Sequence, residues 1–246
     1  MSTFTVLLLA AGKGQRMLPL TETTPKPLLK VAGVTLIDLH LARLNQSIYA
    51  NKPCPVVVNV DHLGQQIIDH LERSQYANLS IAISDERHCG ALETAGGIVN
   101  ALPLINTDFL LVINADIFTD LDYLMFWENA QSALTANDAY LGLVQNPQHN
   151  PEGDFYLSKS GEVHDTLSDQ VEAVSNGYSE TKLTFSGVGA YRTSLFRGLP
   201  LGASPLAPLL RKAMQNNRVS GERLTATWID VGTPQRLQEL NAKSNA

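Results

Sequence analysis

The stretch Leu9-Ala10-Ala11-Gly12-Lys13-Gly14-Gln15-Arg16-Met17-Leu18-Pro19-Leu20-Thr21-Glu22-Thr23-Thr24-Pro25-Lys26-Pro27-Leu28 decides the fold. It begins where an unbroken apolar run, residues 6–10, gives way to glycines. Such a run suits a central parallel strand covered on both faces. In open parallel sheets ligands bind outside the carboxyl ends of strands, and a glycine-rich turn lets backbone N–H groups approach phosphate oxygens. Gly12 and Gly14 fit that role. Pro19, Pro25 and Pro27 prevent a regular helix from following, so residues 12–28 are expected to wrap as an extended loop carrying Lys13, Arg16 and Lys26. Any one of these cations alone reads as a solvated surface charge. Confined to one glycine- and proline-shaped loop, the three together read as phosphate ligands. The stretch has no third glycine for a dinucleotide fingerprint and no Gly-Lys-Ser/Thr for a P-loop.

Outward from this loop, apolar runs recur at residues 56–60, 79–83 and 109–113, with helical spacing at 36–44, 63–71 and 94–102 between them. Strands alternating with helices of about ten residues build a parallel, doubly wound sheet. The pattern then changes. A helix is expected from 121 to about 132, with strands at 139–144, 155–158 and 183–192. Residues 145–154 and 175–181 read as loops able to form a substrate rim. A helix at 206–214, a last buried strand at 225–231 and a terminal helix opened by Thr233-Pro234 complete the chain. The fold class expected is α/β, a mixed and mostly parallel sheet flanked by helices in one Rossmann-like domain. Its nucleotide-binding half would cover about residues 1–120 and its sugar-binding half about 121–246.

Composition narrows the function. A 246-residue chain with 44% hydrophobic and 17% charged residues is long enough for one large core and has no apolar run able to cross a bilayer. No secretory signal is visible at Met1, so a cytoplasmic location is expected, without membrane partners. A net charge of −6 and 18 scattered Lys and Arg give no general attraction to nucleic acid, so phosphate binding must be local. Cys54 and Cys89 have no metal-ligand spacing and read as ordinary thiols.

Asp116 follows the run 109–113 and Asp230 closes another, so both carboxylates are expected at the carboxyl edge of the sheet. Magnesium takes one or two protein carboxylates with phosphates and water, and helix capping is the other reading, most plausible for Asp120 and Asp122. His62 and His70, on one expected helix, read as surface or capping residues. Ser220-Gly221-Glu222 lacks the glycine that precedes a nucleophile-elbow serine.

Residues 9–28 match almost residue for residue the signature L-A-A-G-x-G-x-R-M-x-P-L-T followed by P-K-P-L, and so resemble the sugar-phosphate nucleotidyltransferase family. The resemblance continues through Thr94-Ala95-Gly96-Gly97, Asn114-Ala115-Asp116, Phe185-Ser186-Gly187-Val188 and Trp228-Ile229-Asp230-Val231-Gly232-Thr233, and so spans the chain. Leu92-Glu93-Thr94, Gly153-Asp154-Phe155 and Ser220-Gly221-Glu222 are most similar to the branch that uridylylates N-acetylmuramate 1-phosphate in cell-wall recycling.

The resemblance implies transfer of UMP from UTP to a sugar 1-phosphate with release of pyrophosphate. It implies Arg16 and Lys26 as the catalytic pair on the reacting phosphates, and Asp116 and Asp230 as ligands of Mg²⁺. It further implies that Ala11 and Gly12, together with Ala91 and Thr94 in the segment 85–94, contact the nucleotide. Lys13 and Gly14 belong with the phosphates, and Asn114 with the ribose or a metal-bound water. Gly153, Asp154, Thr184 and Ser186 are candidates for the sugar rim, or equally for turn and strand packing. Many relatives carry a Glu-Lys-Pro element in the sugar site, and none lies between Gly153 and Phe185. Glucose or mannose 1-phosphate, or phosphocholine with CTP, therefore stay open as acceptors. A non-catalytic nucleotide-sugar sensor would be expected to lack the charged residues retained here.

Overall fold

The computed structural model describes residues 4–47, 53–166 and 181–244. Strands β1 (Phe4–Leu9), β4 (Cys54–Val60), β5 (Leu79–Asp85) and β6 (Phe109–Asn114) lie parallel in the order β5-β4-β1-β6. A small hairpin, β2 (Lys30–Val31) and β3 (Val34–Thr35), leads into helix α1 (Leu36–Ser47). Helix α2 (Gly64–Arg73) links β4 to β5, and α3 (Glu93–Ala101) links β5 to β6. Chain order thus runs outward from β1 through β4 and β5, then returns to its other side at β6. That reversal leaves a crevice at the carboxyl end of β1, where such sheets bind ligands.

The second half extends the same sheet. After β7 (Ile117–Thr119) and helix α4 (Tyr123–Ala133) come β8 (Ala139–Val144), the short pair β9 (Tyr156–Leu157) and β10 (Val163–His164), and β11 (Thr184–Arg192). Helix α5 (Leu206–Gln215), β12 (Val219–Arg223), β13 (Trp228–Asp230) and helix α6 (Pro234–Ser244) follow. β11 runs antiparallel between β6 and β8, and β12 pairs parallel to β8 at the edge, giving a seven-stranded sheet, β12-β8-β11-β6-β1-β4-β5. One antiparallel strand among six parallel ones is the mixed sheet that the sequence pattern implies.

The alternation of side chains along β1 divides the core. Phe4, Val6 and Leu8 face a layer holding Ile37, Leu41, Ile67, Phe126 and Trp127, whereas Leu7 faces Ile98, Leu210 and Tyr191 on the other side. Asp122 caps α4 by accepting from the Leu124 and Met125 N–H groups at 2.9 and 3.1 Å. A third apolar cluster, Met17, Leu29, Val31, Leu36, Val231, Leu237 and Leu240, joins the loop after β1 to α6, near the other end of the chain.

Four details depart from the sequence reading. The expected strand 155–158 contracts to β9, which pairs only with β10, and the expected strand 225–231 contracts to β13, which pairs antiparallel with β7 outside the main sheet. Edge strand β12 had no hydrophobic alternation to reveal it: Val219-Ser220-Gly221-Glu222-Arg223 gains its place from the β8 ladder. His62 lies before α2, not on it. Of the loop expected at 175–181, all but its last residue lies outside the described residues.

Candidate active site

A cleft of about 760 Å³ opens at the carboxyl ends of β1, β4 and β6. Its floor is the turn after β1, where the chain makes three short 3-10 turns, Gln15–Met17, Leu20–Glu22 and Lys26–Leu28, in place of a fully extended loop. Thr21 Oγ1 donates to the Gly14 carbonyl at 2.8 Å and the Met17 N–H donates to the same carbonyl at 2.8 Å. Met17, fully buried, anchors the loop in the third apolar cluster. His62 Nε2 lies 2.9 Å from the Thr21 carbonyl, an acceptor only, so that nitrogen carries the proton and His62 is a strut of the loop.

Ala11, Gly12, Lys13, Gly14, Arg16, Lys26, Ala91, Thr94, Asn114 and Asp116 all line this cleft. Lys26 is buried, at 6% exposure, and its Nζ sits 2.5 Å from Asp116 Oδ2. At the far end, Asn59 Oδ1 accepts from the Ala10 N–H at 2.6 Å while its Nδ2 donates to Glu86 Oε1 at 2.8 Å. Burial pushes the Glu86 carboxyl above its ordinary range, against the opposing hydrogen bond from Asn59. Asn59 and Asp61 line the cleft without having been singled out in the sequence, and Glu93 of the Leu92-Glu93-Thr94 motif joins them. The carboxyl-edge rule that selects Asp116 after β6 also selects Asn59 and Asp61 at the end of β4.

Asn114 is seated against β11. Gly187 adopts φ +81°, and a Cβ there would lie 2.6 Å from Asn114 Nδ2, so only glycine fits both the backbone and the contact. The β8 register of β11 shifts between Phe185 and Gly189, a bulge that re-aims the strand beside the cleft. Trp228 Nε1 donates to the Ser186 carbonyl at 2.8 Å and fixes the bulge from the β13 side.

Asp230 is near Asp116 through the backbone but faces elsewhere. Ile117 pairs with Asp230 in the β7–β13 ladder, and the Val231 N–H donates to the Asp116 carbonyl at 3.1 Å. The Asp230 carboxylate lines a neighbouring cleft of about 370 Å³, where Arg236 Nη1 lies 2.6 Å and His149 Nε2 3.2 Å from its Oδ2. Charge pairing with Arg236, with His149 beside it as a second partner, accounts for its departure from the shared crevice expected in the sequence.

Gly153, Asp154, Thr184 and Ser186 do not line the main cleft. Asp154 Oδ2 accepts from the Phe185 N–H at 2.8 Å, and Thr184 Oγ1 donates to Asn146 Oδ1 at 2.9 Å. The Gly153 N–H donates to the Asn150 carbonyl at 3.2 Å, and Ser186 Oγ accepts from the Val188 N–H. Their polar groups close the loop 145–154 onto β11. That loop carries Asn146 and His149 to the second cleft.

A glycine-rich loop after the first strand, a lysine and an aspartate converging on it, and a sheet crevice beside them fit an α/β enzyme acting on nucleotides. The chain belongs to the nucleotidyl transferase family, whose model matches residues 5–246. It is 46% identical over 241 residues, 98% of each chain, to a protein of Neisseria meningitidis serogroup B named N-acetylmuramate alpha-1-phosphate uridylyltransferase. A Caulobacter vibrioides protein of the same name is 32% identical, with 93% of this chain and 92% of that one covered. The structure of HddC from Yersinia pseudotuberculosis, complexed with GMP-PN, shares the fold with a TM-score of 0.72 at 20% identity, covering 98% of this chain and 100% of that one. The family uses a nucleoside triphosphate and a sugar phosphate, generally with a divalent metal. Among the described residues no helix is long and apolar enough to cross a membrane.

Proposed function

We propose that this enzyme transfers UMP from UTP to N-acetylmuramate 1-phosphate, releasing pyrophosphate and UDP-N-acetylmuramate. The observation that carries the chemistry is the convergence of Arg16, Lys26 and Asp116 on a cleft floored by a glycine turn. The acceptor and the base rest on the full-length similarity to the two uridylyltransferases.

An oxygen of the sugar 1-phosphate attacks the α-phosphorus of UTP in line with the departing pyrophosphate. One P–O bond forms as another breaks, and the leaving group takes the electron pair. The attacking phosphate monoester has a second pKa near about 6, so it is largely dianionic at neutral pH and no protein base is required. The protein must gather two polyanions and stabilise the charge that develops on the α-phosphoryl oxygens. Arg16 presents a planar fork to two oxygens, and Lys26 supplies a point charge between donor and acceptor. Lys13 meets the leaving pyrophosphate. A Cβ added to Gly12 would meet nothing within 4 Å, so the open space beside it leaves room for a phosphate to approach the backbone. Ala11, Gly14, Ala91 and Thr94 complete the nucleotide side, and Asn114 the ribose.

Asp116 and Asp230 fit Mg²⁺ by donor chemistry. Their backbones are neighbours through the β7–β13 ladder and the Val231–Asp116 hydrogen bond, so Asp230 would turn from Arg236 to share the ion with Asp116. Two carboxylates plus phosphates and water are the usual magnesium donor set. When bound, the ion would neutralise phosphate charge as a Lewis acid. Residues 1–120 supply the nucleotide side and 121–246 the acceptor side of one domain, and we place the reaction in the cytoplasm, where UTP is made and held.

Pyrophosphate release by the purified protein with Mg²⁺ tests this reading, with each common nucleoside triphosphate set against N-acetylmuramate, N-acetylglucosamine, glucose and mannose 1-phosphates. Release with UTP and the muramate is expected. Preference for another pair would overturn the assignment of substrates, and no release with any pair would overturn the activity.

A further inference from the structure

The second cleft shares a wall with the first. Gly232 lines the first and Asp230, two residues before it, lines the second. In the second cleft Arg236 and His149 converge on a single carboxylate oxygen, at 2.6 and 3.2 Å, and Trp228 and Ile229 offer apolar surface beside them. Further along α6, Glu239 and Lys243 bring opposite charges. The cleft is therefore built to hold a carboxylate against a guanidinium and an imidazole, and in this structure the chain's own Asp230 fills that position.

We propose that this second cleft receives the carboxylate of the acceptor's lactyl arm, with Arg236 and His149 as its recognition pair. The inference rests on N-acetylmuramate 1-phosphate being the acceptor. N-acetylmuramate is N-acetylglucosamine with a lactic acid ether on O3, so the two differ by one negative charge and a methyl group. A site that tells them apart must offer a cation and a small apolar contact, and the second cleft has both. The lactyl carboxylate replaces Asp230 on Arg236 and His149 as Asp230 turns toward the reaction cleft, so the Arg236 guanidinium is not left uncompensated and His149 Nε2 keeps an acceptor. Asn146, Asp154 and Thr184 then act as positioning residues. Their hydrogen bonds close the loop that presents His149.

The test compares N-acetylmuramate 1-phosphate with N-acetylglucosamine 1-phosphate by kcat/KM in wild-type, His149→Ala and Arg236→Gln enzymes. Calorimetric affinity for UDP-N-acetylmuramate and UDP-N-acetylglucosamine is measured in parallel. The wild type is expected to favour both muramate compounds. Each variant is expected to lose at least about tenfold of that preference, as the loss of a charge-assisted hydrogen bond implies. A wild-type acceptor whose lactyl carboxylate has been converted to the amide is expected to lose a similar factor, which tests the subsite even where a variant fails to fold. Variants that keep the full preference, or an amide used as well as the acid, would overturn the subsite alone. A wild type without preference would overturn the muramate reading and the subsite together.

Discussion

Lys26 and Asp116, 90 residues apart, meet with Nζ 2.5 Å from Oδ2 at the mouth of the crevice between β1 and β6. The same two groups are assigned to phosphate and to metal. Before substrate arrives, the ammonium therefore occupies the carboxylate that the metal needs. A free enzyme in this state is expected to bind divalent metal weakly and to gain affinity when phosphates draw Lys26 away. Lys26→Ala should then raise the affinity of the substrate-free protein for Mn²⁺, read by electron paramagnetic resonance. Its kcat/KM should fall by about 10² to 10³, the scale of losing one preorganised charge at a phosphoryl centre. Unchanged Mn²⁺ affinity would show that the pair does not compete with metal.

Asp116→Asn tests the other half of the pair. It keeps the shape and removes the charge, so turnover should drop by at least about 10² while far-ultraviolet circular dichroism stays native. Asp116 is 37% exposed, and solvent limits what Lys26 suffers on losing it. Wild-type activity in this variant would remove Asp116 from the metal assignment.

Gly187→Ala should harm both stability and catalysis. The substitution forces an alanine into φ +81° and drives its Cβ to 2.6 Å from Asn114 Nδ2. The backbone alone costs about 1–2 kcal/mol, and Asn114 must shift within the cleft it lines. Thermal denaturation should report the first effect and a raised KM for UTP the second. A stable variant with wild-type KM would uncouple the bulge from the nucleotide side.

The loop after β1 and its place at the sheet edge were legible because both are local: an apolar strand, glycines, prolines and three cations lie within residues 4–28. Asp116 was legible because it follows β6 directly. What could not be read is which way a side chain turns once the fold offers it another partner. Asp230 pairs with Ile117, next to Asp116, in the β7–β13 ladder, yet its carboxylate pairs with Arg236 near the start of α6. Asp154 and Thr184 read in sequence equally as rim residues or as turn and strand packing, and in the structure they hydrogen-bond to Phe185 and Asn146 and close the loop 145–154. β12 exists because β8 leaves an edge to pair with, a long-range fact that no short window carries.

His40 supplies a prediction away from the substrate. It lies on α1, 1% exposed, with Nδ1 2.7 Å from the Tyr123 hydroxyl. Burial drives its pKa down to about 4 from 6.5, assisted by Arg43 and opposed by the Ile117 backbone and Asp116. Between these two values the unfolded chain binds a proton that the folded chain refuses, so stability falls as pH drops from about 6.5 to about 4 and changes no further through this group below that. Denaturant unfolding across pH 4–7 should show this slope in the wild type, and His40→Gln, lacking the titrating ring, should flatten it. An identical slope in the variant would assign the acid sensitivity to the carboxylates instead.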